Sequence, residues 1–296
     1  MTLWNPQHTV DDLHELQSLL FDFLVSLPAE AWSHKTGARD KDWTVQETVA
    51  HLLSISRLFQ QGVQAALTDT KVSIPHLTRR EDLRDFNQHE IARLSSHTPD
   101  ELIDLLRESF ADVLTTISQL TPDDYEKTAD IYVYNRPTRV IDLVDFQLSH
   151  AGIIHASQIG RSESTYTPIW RHYSDAMTHR MMDRYFRHFS YAYWNKLTGD
   201  LRGAIQFQIG ANEADRWYLW VSPNGSWAHH GVSEEIPLFT ATVRDADVLF
   251  SIFTMHTSIE NALTESTLVI HGHYPASLTL LSYFSASPPK RPLSDG

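Results

Sequence analysis

Histidine is the residue type in this sequence best suited to chemistry. The 296 residues include 17 histidines and no cysteine, which excludes disulfides, thiolate ligands and a cysteine nucleophile. His51 lies at the edge of an apolar helical stripe beside Ile55, and His155 shares a predicted helix face with Ile159. Two imidazoles on facing helices can hold a divalent metal, with zinc the first expectation. A single buried histidine is more often a hydrogen-bonded core residue, so each position alone is weak evidence.

His150 is the candidate for a third ligand, although its spacing from His155 is awkward. Residues five apart in an ideal helix diverge by about 140° around the axis, because each residue turns about 100°. A one-residue π-bulge near Gly152 would bring the two imidazoles together. In a regular helix, His150 would face a neighbouring helix or solvent. The sequence leaves both readings open.

The elements that must position these histidines are predicted to be helices as far as about residue 160. Thr44 and Glu47 form a capping box at the start of one helix, and Thr98 followed by Pro99 begins another. A polar stretch from about 69 to 96 is predicted to be a long connection with at most a short helix. Long helices with long connections predict a four-helix bundle over residues 1–165. The apolar face of the first helix consists of Leu13, Leu16, Leu20, Phe23, Leu24 and Leu27.

The second half changes to an α+β pattern. A helix is predicted from Ser174 to Leu197, after which apolar residues alternate with polar ones, as in half-buried strands. Asn224-Gly225 predicts a hairpin. We expect an α+β domain over residues 174–290 with one antiparallel sheet. Further strands are expected at 238–243 and 267–270, and helices at 245–255 and 275–284.

A family resemblance sharpens the interpretation of the first half. The run from Trp43 to Leu52 resembles the second helix of DinB-like bundle enzymes, closest to the N-terminal domain of mycothiol-dependent maleylpyruvate isomerase. Phe86-Asn87 and the stretch 98–102 are similar to that domain in position and type. His155, followed three residues later by Gln158, resembles the family's closing histidine. The quoted pieces lie within about residues 9–160.

The resemblance implies a metal site with three protein ligands. Two would be His51 and His155, and the third a histidine or glutamate four residues before His155. That position holds Ala151, so this chain departs from the family pattern, and His150 is the alternative candidate for the third ligand. The metal would bind a low-molecular-weight thiol such as mycothiol and lower its pKa next to an electrophilic substrate.

The second half resembles a sterol-carrier-protein-like domain. The residues that carry this resemblance are the strand 217–221, the Asn224-Gly225 turn, Asn261-Ala262 and the stretch 267–272. A bundle followed by such a domain is the arrangement expected of the isomerase relatives.

The resemblance predicts a thiol-dependent transferase or isomerase. Isomerisation through a transient thiol adduct and permanent transfer of the thiol need the same thiolate, so the sequence does not separate them. Tyr134 and Arg136, in the connection before the last helix of the bundle, are candidates for thiol or substrate binding. The alternative reading of these two residues is packing on a long loop.

Two other functions stay open. The chain could be a carrier for an apolar ligand with a vestigial bundle, a reading that the alanine at position 151 favours. It could also be a specialised biosynthetic enzyme that has kept the fold and changed the chemistry. Co-purified lipid would favour the carrier.

Net charge and hydropathy limit the classes of binding partner and the cellular compartment that we expect for this protein. The formal net charge of −13 disfavours a nucleic-acid partner. The sequence contains no run of about 18 apolar residues, the length that a membrane-spanning helix needs. Its N-terminus lacks a signal-peptide pattern. We therefore expect a cytoplasmic protein without a membrane partner. The sequence leaves the oligomeric state open.

Overall fold

The computed structural model describes residues 4–37, 43–163 and 166–285, and these form two compact units. The first contains the described residues up to Val133 together with Pro137–Met177. The second contains Tyr134–Arg136 and the described residues from Thr178 onward. The predicted domain limits at residues 1, 165 and 290 fall outside the described residues.

The first unit is built mainly of helices. Its described part contains three α-helices of more than 20 residues, three shorter α-helices and a pair of two-residue antiparallel strands. In chain order these elements are α1 (Pro6–Ser26), α2 (Val45–Thr68), α3 (Leu83–Leu94), α4 (Pro99–Gln119), β1 (Thr128–Ala129), β2 (Thr138–Arg139), α5 (Val140–Ser149) and α6 (Ala156–Gly160), with a π-helical turn, His150–His155, between the last two.

The predicted helix starts are confirmed by their capping geometry. The Thr44 hydroxyl accepts from the Glu47 N–H at 3.1 Å, and the Glu47 carboxylate accepts from the Thr44 N–H at 2.7 Å. Thr98 caps α4 in the same way. These side chains satisfy backbone donors that a helix leaves unpaired at its first turn.

The polar connection contains a longer helix than expected. α3 runs for 12 residues, although its sequence shows weak periodicity. It packs against α2, and its buried apolar side chains are Phe86, Ile91 and Leu94. The Gln46 amide of α2 also donates to the carbonyls of Ser95 and His97 beyond α3. Tertiary contacts therefore stabilise α3, a helix that its own sequence does not predict because its apolar face is narrow.

α2 lies at the centre of the first unit, packed against α3, α4 and α5. Most of its residues are buried, including the apolar residues Val45, Val49, Leu52, Phe59 and Val63. Because polar residues of α2 are buried as well, a side chain there faces the interior even when it is not apolar.

The second unit combines helices with a sheet. Helix α7 (Asp175–Tyr191) belongs to this unit from Thr178 onward. It ends six residues before the predicted end, and the Trp194 N–H donates to the Tyr283 carbonyl at 2.9 Å instead of continuing the helix. The elements that follow are β3 (Gly203–Ile209), β4 (Arg216–Ser222), β5 (Gly225–His230), β6 (Phe239–Val243), α8 (Ala246–Phe253), α9 (Ile259–Thr264), β7 (Leu268–His271) and α10 (Tyr274–Leu281).

The described strands of this sheet have the order β5-β4-β3-β6-β7. The prediction of a wholly antiparallel sheet is wrong at one pair, because β6 runs parallel to β3. The connection from β5 to β6 carries the chain to the other side of β3, and an alternating pattern carries no information on strand direction. The predicted hairpin is present, with Pro223 and Asn224 in the loop and Gly225 opening β5 at φ +134°.

Among the described residues, no helix is long and apolar enough to cross a membrane.

Candidate metal centre

The three predicted metal ligands meet inside the first unit. His51 on α2 is 4% exposed and His155, at the end of the π-helical turn, is 5% exposed. Their ring centroids are 4.8 Å apart, and the ring of His150 lies 5.3 Å from His51 and 4.3 Å from His155. One ligand nitrogen from each of these residues lies within 4.8 Å of the other two. We name this group the helical cluster.

The π-helical turn places His150 beside His155. At its end the Ala156 N–H donates to the Ala151 carbonyl, a bond between residues five apart instead of four. The wider turn brings side chains five residues apart onto one face, so the awkward spacing no longer separates the two imidazoles. Nε2 of His150 and Nε2 of His155 are 3.0 Å apart.

Two tyrosines stabilise this irregular stretch. The Tyr173 hydroxyl donates to the Gly152 carbonyl at 2.9 Å, and the Tyr166 hydroxyl donates to the Ala156 carbonyl at 3.2 Å. Burial raises the pKa of Tyr173 and raises the pKa of Tyr166 to about 12. Gly160 permits close approach of the Tyr166 ring, since a Cβ there would clash with it. Sequence reasoning missed both tyrosines because no local pattern links them to the turn.

The donor set fits a zinc-type cation. The Nδ1 atom of His155 is 2.7 Å from Oε1 of Gln158. Because a carboxamide oxygen only accepts, Nδ1 carries the proton and the Nε2 lone pair points toward His150. An imidazole whose other nitrogen donates to an oxygen is the usual arrangement of a metal-bound histidine. Three imidazole nitrogens and an open position are the composition of a catalytic zinc site.

The position that the family pattern assigns to the third ligand holds the side chain of Ala151, which is 1% exposed. His150, the neighbouring residue, is the one that reaches the other two histidines. The ligand roles of His51, His150 and His155 stay a prediction.

The wall around His150 is mostly apolar. A small cavity of about 10 Å³ beside it is lined by Leu52, Ile55, Phe59, Phe110 and Ala151, with polar atoms from Ser56 and Gln147. This is room for about one water molecule. The Ser56 hydroxyl donates to Oε1 of Gln147 at 2.7 Å and lies 2.7 Å from the Ser109 hydroxyl. Sequence reasoning did not single out this polar group.

Tyr134 and Arg136 belong to the second unit. The Tyr134 hydroxyl is 2.7 Å from Nε2 of His188 on α7. The Arg136 guanidinium lies 3.9 Å from the centroid of the Tyr191 ring. These contacts agree with the packing reading of the loop, and a role in thiol or substrate binding stays a prediction.

Comparisons with known proteins place the first unit in context. Residues 13–144 match the family model of the mycothiol maleylpyruvate isomerase N-terminal domain, a span that includes His51 and ends before His150. No curated protein sequence matches the chain.

Similar solved structures extend the likeness over most of the chain. The crystal structure of the mycothiol-dependent maleylpyruvate isomerase is 12% identical, covers 84% of this chain and 88% of its own, and has a TM-score of 0.55. A histidine-to-alanine mutant of that isomerase is 10% identical with the same coverage and a TM-score of 0.54. An uncharacterized protein from Clostridium difficile 630 is 13% identical, covers 58% of this chain and 96% of its own, and has a TM-score of 0.42. Residues 13–144 are therefore similar to the mycothiol maleylpyruvate isomerase N-terminal domain, and the chain shares its fold, over most of its length, with that isomerase.

Proposed function

We propose that this protein is a metal-dependent enzyme that uses a low-molecular-weight thiol of the mycothiol type to isomerise a small electrophilic substrate. The observation that carries the proposal is the convergence of His51, His150 and His155 inside the first unit, whose residues 13–144 match the isomerase N-terminal domain model. Transfer of the thiol to the substrate is the related reaction that the same site would support. In fold terms, we propose a DinB-like bundle followed by a sterol-carrier-like domain.

The three imidazoles would hold the metal, with zinc the best match to a nitrogen donor set. A bound divalent metal would supply Lewis acidity that keeps a thiol in its thiolate form near neutral pH. Since the chain has no cysteine, no protein thiol competes for that position.

Residues around the helical cluster prepare it for this role. Gln158 accepts from Nδ1 of His155 and so fixes both the tautomer and the ring plane. The Trp43 ring lies 4.7 Å from the His51 ring, which limits the orientations open to that imidazole. Apolar side chains such as Phe59 and Phe110 keep bulk water from the interior side of His150. A dry, fixed donor set strengthens electrostatic interactions with a developing negative charge.

The test is metal analysis of untagged protein combined with an activity assay. We expect metal that is lost in the double variant His51→Ala, His155→Ala, together with the isomerisation of maleylpyruvate in the presence of mycothiol. The matched control is His229→Gln, which removes an exposed histidine of the second unit. Fully active metal-free wild-type protein would contradict the proposal.

Cobalt substitution tests the thiol part separately. Addition of mycothiol to the cobalt-loaded protein should produce a thiolate-to-metal charge-transfer band, and the double variant should not show it. If thiol binding leaves the spectrum unchanged, the metal does not hold the thiol. Co-purified lipid together with an absence of stabilisation by metal or thiol would favour the apolar-ligand carrier instead.

A further inference from the structure

A second group of metal-type ligands lies in the second unit, independent of the proposed function. His179 is on α7, Asp215 lies in the turn before β4, and His230 ends β5. One ligand atom from each of these residues lies within 4.8 Å of the other two. We name this group the sheet cluster.

Backbone hydrogen bonds hold Asp215 in place. Its N–H donates to the Asn212 carbonyl at 3.0 Å, and its carbonyl accepts from the Ile209 N–H at 3.0 Å. The carboxylate therefore projects from a fixed turn between β3 and β4. Its Oδ1 is 3.6 Å from Nε2 of His179, which is longer than a hydrogen bond. The two side chains therefore face each other without a direct hydrogen bond between these two atoms.

The ring of His230 is held by the sheet. His230 pairs with Trp217 on β4, and the two rings stack with centroids 4.4 Å apart and planes 21° apart. Trp217 is fully buried and stacks in turn on Phe186 of α7. The ring of His179 lies 4.9 Å from that of His230. A ligand fixed by packing loses little conformational entropy on binding.

A second observation points to a ligand at this place. Nε2 of His230 is buried and has no hydrogen-bond partner among the described residues. A buried polar atom without a partner costs about 1 to 3 kcal/mol in typical proteins. A single cation would bind this nitrogen and would also bind the side chains of His179 and Asp215.

We propose that His179, Asp215 and His230 form a second metal site, which binds a divalent transition metal ion of the zinc type. Two imidazole nitrogens and one carboxylate oxygen match zinc, whereas magnesium and calcium prefer oxygen donors throughout. Tetrahedral zinc places its ligand atoms about 3.4 Å apart, so small rotations of the side chains of His179 and Asp215 complete the geometry. Both side chains are partly exposed, at 43% and 30%.

The local charges support a cation. Two carboxylates, Asp183 and Asp215, act electrostatically on His230, and Asp215 is itself one of the proposed ligands. The fourth coordination position would be taken by water. In this site the metal links α7 to the β3–β4 turn and to the end of β5, which stabilises the second unit.

The test uses the full chain with the helical cluster disabled by His51→Ala and His155→Ala, so that any remaining site is seen alone. Equilibrium dialysis against Zn²⁺ should show one ion per chain in this background, and Co²⁺ should give the intense visible absorption of a tetrahedral site. Adding His230→Gln should weaken zinc binding at least about tenfold, the lower range found even for outer-shell partners. Adding His229→Gln should leave it unchanged, because that side chain is on the opposite face of β5.

The thermal midpoint of the same background should rise with Zn²⁺ and stay constant with Mg²⁺. Should His230→Gln fail to fold by circular dichroism, Asp215→Asn takes its place, since it removes a carboxylate without changing the turn's backbone bonds. Absence of zinc binding in the background variant, or equal affinity after the ligand substitution, would overturn the second site. Neither result would affect the thiol-dependent activity proposed for the helical cluster.

Discussion

The helical cluster and the sheet cluster bring their ligand atoms together by different routes. In the helical cluster, His150 and His155 stand on one helix and converge only because the backbone widens into a π-helical turn. In the sheet cluster, ordinary strand register puts His230 opposite Trp217, and a turn and a helix supply the other two ligands. The helical cluster depends on tertiary contacts that stabilise an irregular stretch of backbone. The sheet cluster depends on side-chain packing around regular strands and a regular helix.

Burial differs between the clusters as well. His51 and His155 are almost inaccessible and His150 is half-buried, whereas all three members of the sheet cluster are half-buried. A buried, dry donor set suits the activation of a bound group, and a partly exposed one suits the stabilisation of the fold. The two clusters should therefore respond differently to the same kind of substitution.

The largest expected effect separates the clusters by activity. His51→Ala removes a buried ligand of the helical cluster, and metal-assisted stabilisation is worth several kcal/mol, so kcat/KM for thiol-dependent isomerisation should fall at least about 1,000-fold. Steady-state kinetics with mycothiol and maleylpyruvate measure it, with His229→Gln as the control of unchanged activity. A loss of less than tenfold would mean that the helical cluster is not where the reaction occurs.

Unfolding at alkaline pH tests the burial of Tyr166, which stabilises the backbone next to the helical cluster. Tyr166 has a pKa of about 12 in the folded protein and about 10 when unfolded, so between these values only the unfolded chain loses the proton. Tyr166 should therefore contribute a fall in folding stability of about 2 kcal/mol as pH rises from 10 to 12. Urea unfolding followed by circular dichroism should show this fall in the wild type and a flatter profile in Tyr166→Phe. Identical profiles would show that Tyr166 is not buried as described.

Tyr173→Phe tests whether the π-helical turn depends on its tertiary partner. The substitution leaves the Gly152 carbonyl without its donor, which should cost about 1 to 2 kcal/mol of unfolding free energy. Because the turn positions His150 and His155, metal affinity at the helical cluster should weaken while that at the sheet cluster stays the same. Denaturant unfolding and metal titration measure the two effects. Equal weakening at both clusters would argue against a local role.

The smallest expected effect compares two helix caps. Thr44→Ala removes the cap of α2, the helix that carries His51, and should cost about 1 kcal/mol. Ser258→Ala removes the corresponding cap of α9 in the second unit, where Ser258 accepts from the Asn261 N–H at 3.0 Å. Metal affinity of the helical cluster should respond to the first change alone. A similar response to both would indicate that general stability, rather than the position of α2, controls that site.

Local patterns predicted most of the elements of this protein. The capping boxes at Thr44 and Thr98 located two helix starts, and the alternating residues around Trp217 located the central strands. These signals are readable because caps, turns and periodicity act between residues close in the chain. α3 escaped notice because its stability comes from contacts with α2 rather than from its own apolar face.

By itself, the sequence determined that imidazole rather than thiolate is the available metal donor, and that His51 and His155 stand on inward helix faces. The tertiary structure decided the rest. The widened turn at 150–155 depends on hydrogen bonds from Tyr173 and Tyr166, and the sheet cluster joins residues up to 51 positions apart, from His179 to His230. The parallel pairing of β6 with β3 has the same origin. Contacts between distant residues leave no periodic trace in a single sequence, because their energy depends on where the folded backbone brings them.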